Sequence, residues 1–316
     1  MKNLRSALSF EIAFPYIATA LMIVSASTFF PEFLSANYLL QQLQIAAFLG
    51  VIALGATIVI LLGHIDLSVP WALGGAAIIS TAMAGSDNAV LTILAVPAAL
   101  SFGALVGIIN GIGVAWFRIP SMVWTLAVNS MLLGVAVLNT GGFNPKGEAS
   151  NLMNIMATGR IAAVPIAFII WMVLAIVLLL FLKRGGYGRY LSSIGYNEKA
   201  TYLAGVSTSR VTFTAFMIAG SCSALGGVLL AGYANQAYQS MGNPYLLPTI
   251  AAVVIGGTSI LGGKGSLVGT IGGVAFITLL SSILSVMQIS EAWRNIIFGC
   301  IIIVMLLLQT LRQKRS

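Results

Sequence analysis

The side chains able to carry chemistry are few and scattered. His64 is the single histidine, and the acids Glu11, Glu32, Asp66, Asp87, Glu148, Glu198 and Glu291 fall one to a loop or helix end. They form no carboxylate pair suited to general acid and base work, and no Cys/His cluster presents itself. The stretch Gly262-Gly263-Lys264-Gly265-Ser266 has a phosphate-binding look. Such a loop, however, needs glycine at position 258 and Ser or Thr directly after the lysine. Thr258 and Gly265 stand there instead. We therefore expect no catalytic residue, no metal site and no nucleotide hydrolysis by this chain.

The elements that must position these residues follow from composition. Of 316 residues 59% are hydrophobic and 7% charged, with mean hydropathy +1.02, whereas an ordinary soluble domain carries roughly a quarter charged residues. The apolar residues come in long blocks, and a bilayer-spanning helix needs ~20 of them. The expected fold is an all-α polytopic membrane protein of about ten transmembrane helices. The spans are Ile12–Phe30, Leu43–Leu62, Val69–Gly85, Ala89–Phe117, Ser121–Leu138, Ile161–Leu182, Val211–Tyr233, Leu246–Leu261, Leu267–Met287 and Trp293–Leu311. The third and eighth are short and Gly-rich, as broken or partly re-entrant helices would be. Residues 1–316 read as one transmembrane domain.

Cationic loops stay in the cytoplasm. With the N-terminus inside, that side receives Lys2, Arg5, Arg118, Lys183, Arg184, Arg189, Lys199, Arg210, Lys264, Arg312, Lys314 and Arg315, leaving Lys146, Arg160 and Arg294 outside. Both termini are then cytoplasmic. Pro31-Glu32-Phe33 after the first apolar block is not a cleavage pattern, so that block is read as a retained span. The net charge of +8 is explained by these juxtamembrane cations and anionic lipid, without nucleic acid. Cys222 and Cys300 fall inside spans and read as small packing residues.

The spans are almost free of charge, whereas an ion-coupled carrier usually places ionisable residues within them. An external energy source is expected, and a cytoplasmic ATPase is the simplest. The longest inside loop, Lys183–Arg210, supports this. Asn197 can cap a short helix there, charges follow in its first turn, and Gly205 stops it. Ala200, Leu203 and Ala204 share one face at i, i+3, i+4 spacing. Such a face suits docking into a cleft on a partner protein; the alternative is a helix resting on lipid.

Three segments carry a family resemblance. The run Gly195-Tyr196-Asn197-Glu198 with Ala200, Leu203, Ala204 and Gly205 resembles the cytoplasmic coupling segment of ribose/xylose/arabinose-type sugar permeases of bacterial ATP-binding-cassette importers. Ile65-Asp66-Leu67-Ser68-Val69 resembles that family's Gly-Gly-Ile-Asp-Leu-Ser-Val-Gly element. Ile255-Gly256-Gly257-Thr258-Ser259 through Gly262-Gly263-Lys264-Gly265-Ser266 and Gly269-Thr270 resembles its late glycine-rich element. His64, Pro70 and Tyr196 stand where the family usually has glycine. The resemblance covers essentially the whole chain.

It implies a permease subunit in the bacterial inner membrane. A periplasmic sugar-binding protein would deliver a pentose or hexose, and an ATPase dimer holding ATP and Mg would dock on Asn197–Gly205; the alternatives are an importer of the same architecture for a nucleoside, a branched-chain amino acid or a furanosyl signalling molecule, and a carrier or channel without an ATPase. A second permease, identical or paralogous, would complete the path. No cofactor is expected on this chain.

Each element also has a reading of its own. Asp66 and Ser68 can cap the third span, or Asp66 can help hold an inner gate. Gly256, Gly257, Gly262, Gly263, Lys264 and Gly265 suit a cytoplasmic turn, or a hinge. Gly103, Gly107 and Gly111, like Gly269 and Gly273, let helix backbones approach closely in lipid. Sugar hydroxyls call for neutral hydrogen-bonding and aromatic side chains, and Gln41, Gln42, Gln44, Asn110, Trp124, Asn129, Gln236 and Gln239 are candidates. Interhelical hydrogen bonding is the competing role for every one of them.

Overall fold

Beyond Gln44 the helix Ala36–Leu61 is apolar all round save for Thr57, and in the computed structural model it forms the axis of a helical bundle, with 89% of its most apolar window buried. The structure describes residues 2–143, 145, 147–184 and 186–313; for residues 2–11, 308, 309, 312 and 313 it describes backbone alone. The cations Lys146, Lys314 and Arg315 therefore lie outside the described residues, and the side chains of Lys2, Arg5, Glu11 and Arg312 do too.

In chain order the helices are α1 (Lys2–Phe29), α2 (Ala36–Leu61), α3 (Val69–Ala84), α4 (Ala89–Ala115), α5 (Ser121–Thr140), α6 (Asn151–Thr158), α7 (Ile166–Arg184), α8 (Tyr187–Tyr196), α9 (Glu198–Leu203), α10 (Thr208–Ala234), α11 (Leu246–Ile255), α12 (Leu267–Val286) and α13 (Glu291–Gln313). A two-stranded antiparallel ribbon, β1 (Arg160–Ile161) and β2 (Val164–Pro165), precedes α7. Among the described residues, seven helices are long and apolar enough to cross a membrane: α1, α2, α4, α5, α7, α10 and α12. The chain is an all-α polytopic membrane protein.

The ten expected spans fall on α1–α5, α7 and α10–α13, with four corrections; the second starts at Ala36 rather than Leu43, because Ser35 accepts the Tyr38 N–H and caps the helix there. The sixth starts at Ile166, because Ala162 (φ 48°) and Ala163 (φ 72°) turn the chain back between β1 and β2. The eighth stops at Ile255, where Gly256 ends α11. The third is one continuous helix with no break, its Pro70 sitting in the first turn, where a missing N–H costs nothing.

Helices α7, α10, α11 and α12 surround α2, α3 packs on α10 and α4, and α4 packs most extensively on α10. A Cβ at Gly103 or Gly107 would overlap α10 backbone at Gly220 or Phe216. The expected small-residue seam is therefore present, as packing. Helix α1 lies at the periphery, tied to α12 by Tyr16 OH donating to Val268 O at 2.7 Å.

Candidate functional site

The three family-like segments, far apart in sequence, meet at one end of the bundle. The Leu61 carbonyl at the end of α2 accepts the Gly263 N–H at 2.9 Å. Gly63 (φ 80°) turns the chain away from α2 and lies against Gly262 (φ 87°). Gly195, near the end of α8, closes the junction: a Cβ there would overlap the Leu61 carbonyl and the Gly263 amide. The late turn is held by Ser259 N–H donating to Lys264 O at 2.8 Å, with Lys264 itself exposed. The Gly263 amide is thus used on Leu61 and the Gly262 amide on Ser259 O.

The connection between α2 and α3 is pinned from α5. Ser121 Oγ accepts the Ile65 N–H at 3.3 Å, Thr125 Oγ1 the Leu67 N–H at 2.9 Å, and Asn129 Oδ1 the Trp71 N–H at 3.3 Å. These residues stand at i, i+4 and i+8, one polar stripe on an otherwise apolar helix. Asp66 is buried. Its Oδ1 accepts the Ser68 amide at 2.8 Å and the Ser68 hydroxyl at 2.6 Å. The fully buried Asn110 of α4 donates to Ser68 Oγ at 2.7 Å.

This arrangement corrects the expected cap. Ser68 occupies the N-cap position of α3 with helical φ −84° and ψ −7°, and its side chain makes no capping bond. Its hydroxyl is spent on Asp66, and a side chain from another helix, Asn129, satisfies the third amide of α3. Burial pushes the Asp66 carboxyl above the usual range, while the two bonds from Ser68 pull it back.

On the neighbouring loop, His64 is half-buried with its ring 6.1 Å from that of Phe216. Burial holds the imidazole below its ordinary pKa; the Glu198 carboxylate opposes this and Arg118 adds to it. Ser121 and Thr125 were missed in the sequence, as was Arg118. The i, i+4, i+8 spacing of Ser121, Thr125 and Asn129 was the signal available.

The short docking helix is α9. Asn197 caps it as expected, φ −160° and ψ 99°, with Oδ1 accepting the Ala200 N–H at 3.0 Å. Gly205 (φ 86°) follows its C-terminus. Ala200, Leu203 and Ala204 are all exposed, Leu203 at 84%. Glu198 pairs with Arg118 in the α4–α5 connection. Ahead of α9 the structure adds α8, unforeseen in sequence, which buries Leu191 and Ile194 and is tied to α10 by Tyr187 OH donating to Val211 O at 2.8 Å.

The candidate path residues are not brought together. Asn110 and Asn129 belong to the Asp66 cluster, and Trp124 Nε1 donates to Ile109 O at 3.1 Å. At the opposite end Gln44 donates to Ala157 O at 2.9 Å and Gln239 to Thr140 Oγ1 at 2.6 Å. Gln42 donates to Ser282 Oγ at 2.9 Å. Gln41 and Gln236 are exposed, and Gln236 forms a backbone bridge with Glu148. Most of these side chains are thus hydrogen-bonded to other helices and connections, the competing role for them in an apolar bundle.

Among the described residues, no three His, Cys, Asp or Glu residues lie close enough to hold a metal ion. Cys222 is buried, as a packing residue is; Cys300 is exposed on α13.

Apolar helices long enough to cross a membrane, a pinned glycine junction and an exposed capped helix at one end make up a multi-pass membrane subunit. The chain belongs to the family described as branched-chain amino acid transport system / permease component, whose model matches residues 38–306. It is 32% identical over 295 residues to the ribose import permease protein of Haemophilus influenzae, covering 92% of this chain and 91% of that one. The ribose import permease protein of Escherichia coli K12 is 31% identical over 301 residues, 94% of this chain and 93% of that one. The autoinducer 2 import system permease protein of Salmonella typhimurium is 32% identical over 293 residues, 90% and 83% of the two chains. No solved structure matches.

Proposed function

We propose that this chain is the transmembrane permease subunit of an ATP-binding-cassette importer that carries a monosaccharide across the bacterial inner membrane. The observation that carries the reading is α9: a capped helix whose apolar Ala200, Leu203 and Ala204 stand free while its first residue is paired to the bundle. An exposed apolar face at the glycine junction suits an ATPase groove, in the helix-in-groove mode. The named relatives support sugar as cargo.

In this reading ten helices, α1–α5, α7 and α10–α13, cross the membrane, both termini are cytoplasmic, and residues 1–316 act as one permease domain. The cations Arg118, Lys183, Arg184, Arg189, Lys199, Arg210 and Lys264 stand on the connections at the α9 end, which supports that end as cytoplasmic. The chain binds no cofactor and performs no hydrolysis; its partner ATPase holds ATP and Mg. A periplasmic binding protein delivers the sugar, and a second permease, identical or paralogous, completes the path. Asp66, Ser68 and the turn Gly256–Gly265 serve as the inner gate, and the exposed Gln41 and Gln236 face the path.

A second reading, an importer of autoinducer 2, has support in the equal 32% identity of that relative. Uptake measured on a panel of pentoses, hexoses and autoinducer 2 separates the two. The class itself is tested by gentle detergent pull-down from native membranes, with and without Leu203→Arg/Ala204→Arg. An ATP-binding-cassette subunit should accompany the wild type and be lost from the variant; if none accompanies either, the importer reading fails.

A further inference from the structure

Resting on the importer reading above, we propose that Arg118 and Glu198 are the positioning pair through which α9 moves the Ile65–Ser68 turn. Of the α9 side chains Thr201 alone is buried. The helix is held to the bundle by its neighbour α8, by slight packing on α10 and, from its first residue, by the Glu198 carboxylate on the Arg118 guanidinium. This is the one ion pair found among the described residues.

Arg118 sits in an unusual place. Its φ of 57° lies in the left-handed region that non-glycine residues seldom adopt. The bend is set immediately after it, where Ile119 N–H donates to Gly113 O at 3.2 Å and Pro120 fixes the chain that opens α5. The first residue of α5 is Ser121, which accepts the Ile65 amide; one turn later Thr125 accepts the Leu67 amide. From docking helix to Asp66 the path is therefore one ion pair, one fixed bend, one rigid helix turn and two amide-to-hydroxyl hydrogen bonds.

Contiguity alone does not establish coupling. A second observation makes the path mechanical: a cleft of about 470 Å³ lies between these parts, lined by Gly63, His64, Ser121 and Glu198. Glu198 and the α2–α3 turn are thus not packed solidly on each other. Helix α9 has room to shift against that turn, and the shift is transmitted by Arg118. The Arg118 and Glu198 side chains are 56% and 38% exposed, and pairs this accessible add little to folding. Loss of the pair should therefore register in coupling rather than in stability.

The test uses the complete transporter, purified with the ATPase that accompanies this chain and reconstituted into liposomes. Arg118→Glu, Glu198→Arg and the charge-swapped double variant are compared for solute taken up per ATP hydrolysed. Each single variant should lose about threefold or more of that ratio while still co-purifying the ATPase, and the swap should restore it. A purely structural pair would instead reduce the yield of assembled complex and leave the ratio unchanged, which overturns the proposal, as do single variants with the wild-type ratio. Should a charge-reversed chain fail to assemble, Glu198→Gln carries the same expected fall. Absence of any ATPase from the wild-type preparation sinks the importer reading, and the relay with it.

Discussion

Thr125 of α5 accepts the backbone N–H of Leu67 at 2.9 Å, so the turn between α2 and α3 is held by a hydroxyl from a third helix. Replacing Thr125 by the near-isosteric Val removes the acceptor and leaves that amide unpaired. The expected loss is about 1–3 kcal/mol, read as a lower thermal midpoint of the detergent-solubilised chain. Thr125→Ser retains the hydroxyl and should lose less. Equal midpoints for Thr125→Val and the wild type would sink the pinning role.

Gly195 and Gly134 make a matched pair. A Cβ at Gly195 would overlap two backbone groups of the junction, whereas one at Gly134 meets nothing within 4 Å. Gly195→Ala should destabilise by about 1–3 kcal/mol, the range for overpacking. Gly134→Ala, mid-helix in α5, should be neutral or stabilising. Thermal midpoints and the yield of folded protein in detergent compare them directly.

Asn197→Ala removes the cap of α9 and should cost about 1 kcal/mol of local helix stability. Amide hydrogen exchange across residues 198–205 should accelerate, and recovery of the co-purifying ATPase should fall. Asn197→Asp, which can also accept the Ala200 amide, should preserve both. Unchanged exchange in the alanine variant would show that the cap does not hold the helix.

His64 gives a pH dependence with a definite sign. Its folded pKa lies below the unfolded value because burial disfavours the imidazolium. The neutral ring's contribution is therefore complete above about pH 6.5 and is lost as pH falls through the lower folded value. Asp66, whose carboxyl is raised by burial, acts in the opposite sense and weakens the fold as pH rises. The wild type should lose more thermal stability than His64→Gln between neutral and mildly acidic pH, since that substitution removes the His64 contribution alone. Parallel curves would mean that His64 is solvated.

Much of this architecture was legible in the sequence because membrane spans are written locally. Leu43–Leu62 and Leu267–Met287 stand out as long apolar blocks, while the caps that set where the helices start, Ser35 and Ser266 accepting the Tyr38 and Gly269 amides, go unread, so α2 begins at Ala36 and not at Leu43. The α9 cap was equally local, since Asn197 and Ala200 are three residues apart. What local reading misses is long-range pairing. Asn129 caps α3 from 58 positions away in the chain, and nothing in the residues around Ser68 signals that its hydroxyl is already taken by Asp66. For the same reason the sequence alone does not separate interhelical bonding from path lining for the amide side chains read as cargo candidates. A glutamine in a span looks the same in sequence whether it faces a path or, like Gln44, is spent on a carbonyl of α6.

The enclosure of α2 has a consequence for how the chain is made. Its flanking helices α10, α11 and α12 are encoded after it, and α10 ends at Ala234. At about 5–20 residues per second of synthesis, α2 waits roughly ten to thirty seconds before its main neighbour is complete. A span with polar groups on its inner face would spend that interval with them against hydrocarbon. Helix α2 carries within Ala46–Leu61 a single hydroxyl, Thr57, which in the finished bundle donates to its own Ala53 carbonyl at 2.7 Å. The apolar circumference of Ala46–Leu61 thus lets this stretch of the future axis rest in lipid until the rest of the chain arrives to enclose it, Gln41, Gln42 and Gln44 lying nearer the start of the helix.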